Sequence, residues 1–432
     1  MAEIRPIKGW RYAPALTREK DTLISPLFDV VSEKHRQALY HQPFNSLHLS
    51  VPQEPNAANR AANLLEAWKS SGILKQDIVP GIYGFYQYFR LPGSKKEYCR
   101  KGFICHIKAY DWSEKVILRH ENTIPDAVNK QKELLAKTLL QTSPTHGLYT
   151  DPAFVLEPYL NESMVSPLYE AEDYQGIRNV LSVIHDARVI KLFKEVLRDK
   201  QVLLADGHHR YESSLWYRKK MMEANPQNTG KEGYHYHFMY LTNTESDDLK
   251  ILPTHRVLKE LPLSEEELIK ALTNYFNITP QEEACTLNEV IAGKKWTFGL
   301  YLAVGAYKLT LKPDVHQQIY WNFPAIVKEL DLTVLHFFVF EKILGLVREK
   351  QRSFPGILYE RNFAQCLTLV NNGQAKAAFI VNEVTIEEVK QVCASGATLP
   401  QKSTFFYPKV ITGLIFSTLK QHEFESEVDS CF

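Results

Sequence analysis

Asp206-Gly207-His208-His209-Arg210 gathers one carboxylate, two imidazoles and one guanidinium within five residues. Val202 to Ala205, just before it, is a short apolar run that predicts a buried strand. Tyr211 to Met222, just after it, carries Leu215, Trp216 and Met222 and predicts a helix. Gly207 accepts positive φ, so the Asp-Gly pair suits a tight turn between them, and Asp206 suits the helix N-cap. A helix start presents unpaired N–H groups and the positive end of the dipole. With Arg210, His208 and His209 beside it, the turn can hold an anion, phosphate above all. A carboxylate there makes sense where it holds a divalent cation next to that phosphate, which makes Asp206 a candidate metal ligand. The competing structural reading is an ordinary Asp-Gly turn with surface histidines. Zinc fits less well, because adjacent histidines on a helix point about 100° apart and those on a strand point to opposite faces.

The elements that must position this turn are mixed. Strand Asn179–Ile184, helix 187–198, the apolar strand, the turn and its helix form a strand–helix–strand–turn–helix series, which predicts a mixed α/β core. Helices are expected at 33–40, 56–71, 126–140, 264–276, 331–346, 363–370 and 385–394, with capping boxes at Ser264–Glu267 and Thr385–Glu388. Strands are expected at 81–89, 102–110, 115–118 and 377–381, and a hairpin over 294–311. Residues 95–100 read as a polar turn, 157–177 as irregular, and His48 as a strand residue. His235 and His237 alternate with aromatics on an expected strand, two apart on one face. The apolar stripe of 331–346 suits core or a dimer surface. The predicted partition is an N-terminal α+β lobe over 1–112, the turn-bearing core over 113–260 and a C-terminal α/β lobe over 261–432.

Composition narrows the class. In 432 residues there are 51 basic and 50 acidic side chains, and 44% are apolar. That is ample for packed cores and gives no basic excess of the kind nucleic acid attracts. Cysteines at 99, 105, 285, 366, 393 and 431 form no C-x-x-C, so free thiols in a cytoplasmic protein are expected. No apolar leader opens the chain and no run is long enough for a membrane span.

Ala205-Asp206-Gly207-His208-His209-Arg210-Tyr211-Glu212 resembles the signature of a widespread bacterial and archaeal family, domain of unknown function 1015, and the resemblance covers nearly the whole chain. Its other pieces are Pro26 to Ser32, Pro43 to Leu49, His120-Glu121-Asn122-Thr123 and Leu252-Pro253-Thr254-His255-Arg256. Within the first of these Asp29 is either a site residue or a turn acid. The D-G-H-H-R element is also similar to that of the archaeal free-serine kinase, an ADP-dependent enzyme of the ParB/sulfiredoxin-like fold. The resemblance implies a ParB/sulfiredoxin-like core in which Gly207, His208, His209 and Arg210 hold nucleotide phosphates. It implies Mg²⁺ at Asp206, with ATP or ADP as phosphoryl donor. Glu121 is implied as the base that takes the proton of a serine hydroxyl, alongside Asp206 and His209 in the catalytic group. Gly396 to Thr404 is similar to a late G-x-x-x-P-K-T-T stretch of that kinase, which brings Lys402, Ser403 and Thr404 to the phosphates. The kinase continues with Arg-His where this chain has Phe405-Phe406, so its substrate contacts do not carry over there. His120, Thr123, His255 and Arg256 are the substrate-binding candidates.

The functional expectation is a nucleotide-dependent phosphotransferase converting free L-serine, or a similar small hydroxyl metabolite, to O-phosphoserine. The alternatives are a non-catalytic nucleotide-binding regulator and a nucleotide-hydrolysing enzyme. Nucleotide and a small molecule are the expected partners, without nucleic acid or membrane, in a protein that is monomeric or a homodimer.

Overall fold

A computed structural model describes residues 2–27, 32–351, 354–400 and 402–424. Asp29, Cys431 and the acidic tail beyond 424 lie outside the described residues. The chain is a mixed α+β protein that divides into two compact units. The first comprises 1–250 and 408–432, the second 251–407. The expected breaks at 112 and 260 do not coincide with this division. Strands from before and after residue 112 share one sheet, and the chain returns to the first unit at Pro408.

That first sheet has nine strands among the described residues. Its order is Ile117–Arg119, Val202–Asp206, Thr145–Tyr149, Tyr236–Asn243, Glu97–Lys108, Tyr83–Arg90, Arg178–Leu181 and Tyr169–Glu172, and Ile4–Arg5 pairs with Glu97–Lys108. Tyr236–Asn243 is buried along its whole length, because successive side chains enter different cores. Met239 and Leu241 join Phe103, Ile190, Phe193 and Tyr211 on one face. Phe238 and Tyr240 join Phe85, Ile104, Val410 and Ile415 on the other. The helix Ala187–Arg198 follows its signals closely. Asp186 caps it by accepting from Arg188 N and Val189 N at 2.8 and 3.2 Å, and Ile190, Phe193 and Leu197 form its buried stripe.

The second unit holds a six-stranded antiparallel sheet in the order Phe276–Gln281, Gly305–Leu311, Thr297–Leu302, Ala377–Ile380, His255–Leu258 and Ile357–Glu360. The hairpin over 297–311 and both capping boxes form as expected. Three local expectations fail. Glu97 begins a twelve-residue strand rather than a polar turn. Residues 157–177 contain a helix, Glu157–Ser163, and a strand, Tyr169–Glu172. His48 sits in the short helix Leu47–Ser50. The apolar segment from Asp331 is α-helical to Leu335 and then widens into a π-helix over His336–Ile343.

Candidate functional site

Asp206 ends the strand Val202–Asp206 and the helix His208–Ala224 begins two residues later. Gly207, not Asp206, occupies the N-cap. Its φ is +91°, and no side chain caps the helix. A Cβ at Gly207 would stand 2.6 Å from Thr145 Cγ2 and 2.8 Å from Arg210 Nη2, so both backbone and packing demand glycine. With its capping role lost, Asp206 turns instead to two cations. Arg210 Nη2 donates to its Oδ2 at 3.0 Å, and Lys409 Nζ donates to its Oδ1. Arg210 is fixed from behind, where Nη1 donates to Ser143 Oγ and Pro144 O, both at 2.8 Å. Burial on its own works to raise the Asp206 carboxyl pKa. Lys409 and Arg210 outweigh it and hold the group below the ordinary carboxylate range.

The loop after Ile117–Arg119 reaches the same turn, because this strand runs parallel to Val202–Asp206 as its direct neighbour. His120 is fully buried and its ring lies 4.8 Å from that of His208, nearly perpendicular. Burial pushes His120 down to about 4 and His208 well below its ordinary value, so both are neutral at pH 7. His208 Nε2 has no hydrogen-bond partner among the described residues. His209 Nε2 accepts from Ile124 N at 3.0 Å, which ties the 120–124 loop to the turn. Glu121 and Thr123 lie half-buried in that loop. The structure thus sets the 120–124 loop, which carries His120, Glu121 and Thr123, beside Asp206, Gly207, His208, His209 and Arg210 within the first unit.

The remaining candidates belong to the second unit. Arg256 and His255, two of the substrate-binding candidates, lie inside the strand His255–Leu258 and are buried. Arg256 donates to Thr254 O, to His336 Nε2 at 3.2 Å and to Lys402 O at 3.4 Å, and His255 Nδ1 accepts from Val381 N at 3.2 Å. Lys402 has a φ of +56°, Ser403 is buried with its Oγ donating to Pro400 O, and Thr404 is half-buried. His235 and His237 do not share a strand face. His235 sits in the helical turn Gly233–His235 facing Asn228, whereas His237 bonds Thr145 and Ser214. Among the described residues no group of three His, Cys, Asp or Glu side chains could hold a metal ion. No helix there is long and apolar enough to cross a membrane, and the five described cysteines are free thiols.

One residue of this site escapes sequence reasoning. Lys409 ends a stretch whose other lysine, Lys402, drew the attention. Its one signal is position, a lone charge between Pro408 and the apolar run Val410-Ile411.

The family described as "Protein of unknown function (DUF1015)" matches residues 4–333, and the chain belongs to it. The comparison with curated proteins found no match. Among solved structures, a free serine kinase in complex with AMP is 13% identical, with 73% of this chain and 92% of that chain covered at a TM-score of 0.37. A conserved hypothetical protein from Pyrococcus furiosus is 13% identical over 73% and 96% of the two chains, at 0.36. SbnI with C-terminal truncation, from Staphylococcus aureus, is 13% identical over 76% and 92%, at 0.34. Likenesses this distant do not assign an activity.

Proposed function

We propose that the turn at 206–210 holds the phosphates of a nucleotide and that the chain transfers a phosphoryl group to a small hydroxyl acceptor, free L-serine being the acceptor the family resemblance implies. The observation that carries this reading is the convergence of Arg210 and Lys409 on an ionised Asp206 at an uncapped helix start. The two cations meet at Asp206 where N–H groups of a helix start already favour phosphate. Neutral His208, whose Nε2 has no partner in the protein, is suited to donate one hydrogen bond to a phosphate oxygen. His209 holds the 120–124 loop in place, and Glu121 in that loop takes the acceptor's hydroxyl proton. Lys402, Ser403 and Thr404 are proposed as further phosphate contacts from the resemblance alone, and His120 and Thr123 as acceptor contacts.

Mg²⁺ fits only as an ion carried by the nucleotide. Asp206 offers one carboxylate, both of whose oxygens are held by cations, and such ions commonly keep their waters and phosphates as ligands. When bound, the metal would neutralise charge on the transferring phosphoryl group. Arg210 and Lys409 do the same from the protein side.

The test is direct. The full chain is incubated with Mg²⁺, ATP or ADP, and L-serine, and O-phosphoserine is sought by ³¹P NMR. Nucleotide binding without turnover would point to a regulator, and nucleotide loss without phosphoserine to a hydrolase. Glu121→Gln is expected to keep nucleotide affinity and to lower transfer at least 100-fold; transfer at the wild-type rate would remove Glu121 as the base.

A further inference from the structure

The sheet face that carries Asp206 also buries a cation that the phosphate turn does not use. Arg100, on the strand Glu97–Lys108, is 1% exposed. It pairs across the sheet with Gln87, and its Nη2 donates to Gln87 Oε1. Its guanidinium lies 5.5 Å from the centre of the Tyr240 ring, while Nε and Nη1 have no hydrogen-bond acceptor among the described residues. The neighbours cannot supply one easily. Gln87 Nε2 is a donor, committed to Asn179 Oδ1 at 2.9 Å and Lys409 O at 3.2 Å. Asp206, the acid of this face, is already held by Arg210 and Lys409. His146, stacked on Tyr240, is kept neutral by burial and by Arg100.

Arg210 and Lys409 therefore already occupy both oxygens of Asp206, and Nε and Nη1 of Arg100 find no acceptor among the described residues. Buried polar groups almost always find partners, and buried charges find charges. Ordered water would satisfy the two donors but leave the charge. Burial works against the charged state of Arg100, and Tyr240 and Asp206 only partly offset this.

We propose that Arg100 anchors a second oxyanion subsite, beside the 206–210 turn, that takes the carboxylate of a small substrate. A carboxylate suits it better than phosphate. One enclosed guanidinium flanked by neutral Gln87, Asn179 and Tyr240 balances one negative charge, and no helix start is present to share a second. Where this subsite serves the transfer reaction, the acceptor is an amino or hydroxy acid held by its acid end; that extension rests on the kinase reading, whereas the subsite itself does not.

The experiment is thermal unfolding of the full wild-type chain and of Arg100→Met, at matched chloride ionic strength, with sodium acetate, L-serine, ethanolamine, inorganic phosphate or ADP added. Acetate and L-serine are expected to raise the wild-type Tm and leave Arg100→Met unmoved. Ethanolamine, which lacks the carboxylate, moves neither, and ADP moves both. Without added anion, Arg100→Met is expected to unfold no earlier than wild type, because the variant no longer buries an uncompensated charge. Equal acetate responses in the two proteins, or none in either, overturn the subsite. So does a variant that loses the phosphate or ADP response, since Arg100 would then serve the nucleotide. If Arg100→Met does not fold, Arg100→Lys replaces it. A tenfold weaker apparent acetate affinity supports the proposal and an unchanged one overturns it. An Arg100-dependent acetate response without any phosphoserine formation sinks the kinase reading alone.

Discussion

Arg100 in the first sheet and Arg256 in the second are both buried guanidinium groups next to a tyrosine ring, yet their surroundings differ. Arg256 spends its donors on Thr254 O, Lys402 O and His336 Nε2. Burial and the cation push His336 down to about 3, so its Nε2 stays an acceptor, and its Nδ1 is fixed by Gln351 at 2.9 Å. That network closes on itself. In the first unit Nε and Nη1 of Arg100 have no acceptor among the described residues, and Arg210 and Lys409 both hold Asp206. Burial is common to both arginines; satisfaction by the protein is what separates a structural arginine from one suited to a ligand.

The comparison breaks most sharply at Asp206. Asp206→Ala leaves Arg210 and Lys409 facing each other, both about nine-tenths enclosed. Removing one partner of a buried ion cluster costs about 3–5 kcal/mol. Urea unfolding should show that loss, and nucleotide binding should vanish with it. A loss under about 1 kcal/mol would mean that water already screens the cluster.

Next in size is the response to acid. The buried His120 titrates at about 4 in the folded chain against an ordinary 6.5. Between those values the unfolded chain binds a proton that the folded chain refuses, so stability falls as pH drops through 6.5 towards 4. From pH 7 to pH 5 this is about 2 kcal/mol per such histidine. His255, at about 4, and His336, at about 3, impose the same sign on the second unit. There Asp331 opposes them. Burial raises it to about 6, so its penalty shrinks as pH falls. His120→Asn should therefore flatten the profile of urea midpoint against pH, and Asp331→Asn should steepen it. Parallel profiles for wild type and His120→Asn would show that His120 is hydrated.

Two glycines sharpen the contrast further. Gly207 (φ +91°) and Gly373 (φ +67°) are both left-handed, but a Cβ meets Thr145 at the first and nothing within 4 Å at the second. Gly373→Ala should cost about 1 kcal/mol, from the backbone alone. Gly207→Ala should cost about 2–3 kcal/mol, with overpacking against the Thr145 methyl added. Equal losses would mean that Thr145 moves aside freely.

The turn at 206–210 was legible because three local signals agree there: an apolar strand, a turn glycine and a helix. The helix Ala187–Arg198 and the hairpin over 297–311 were legible for the same reason. What stayed hidden is non-local. Lys409 finds Asp206 across 203 residues, after the chain has passed through the whole second unit. Arg100 looked like one more charge in a surface turn, since nothing near it in sequence says that its strand continues into the interior beside Gln87. Arg256 is the reverse case. Its resemblance motif suggested a ligand, while the strand around it, Val257-Leu258, already gave the apolar signal of a core.

The smallest expected effect lies at Lys295 and Glu329, an ion pair of 2.8 Å in the second unit with both side chains about half exposed. Its distance is no longer than the 3.0 Å of the buried Arg210–Asp206 pair, and the carboxyl of Glu329 is lowered chiefly by its hydrogen bond to Lys295. Geometry alone would rank it with Asp206. Solvent decides otherwise. Water already solvates both ions, and holding two long side chains together costs entropy that screening leaves poorly compensated. Lys295→Ala should therefore change stability by less than about 1 kcal/mol, and 0.5 M salt should erase even that. The Lys409–Asp206 pair should keep most of its contribution in the same salt. A salt-insensitive loss at Lys295 comparable to that at Asp206 would show that pair length, rather than enclosure, sets the strength of these ion pairs.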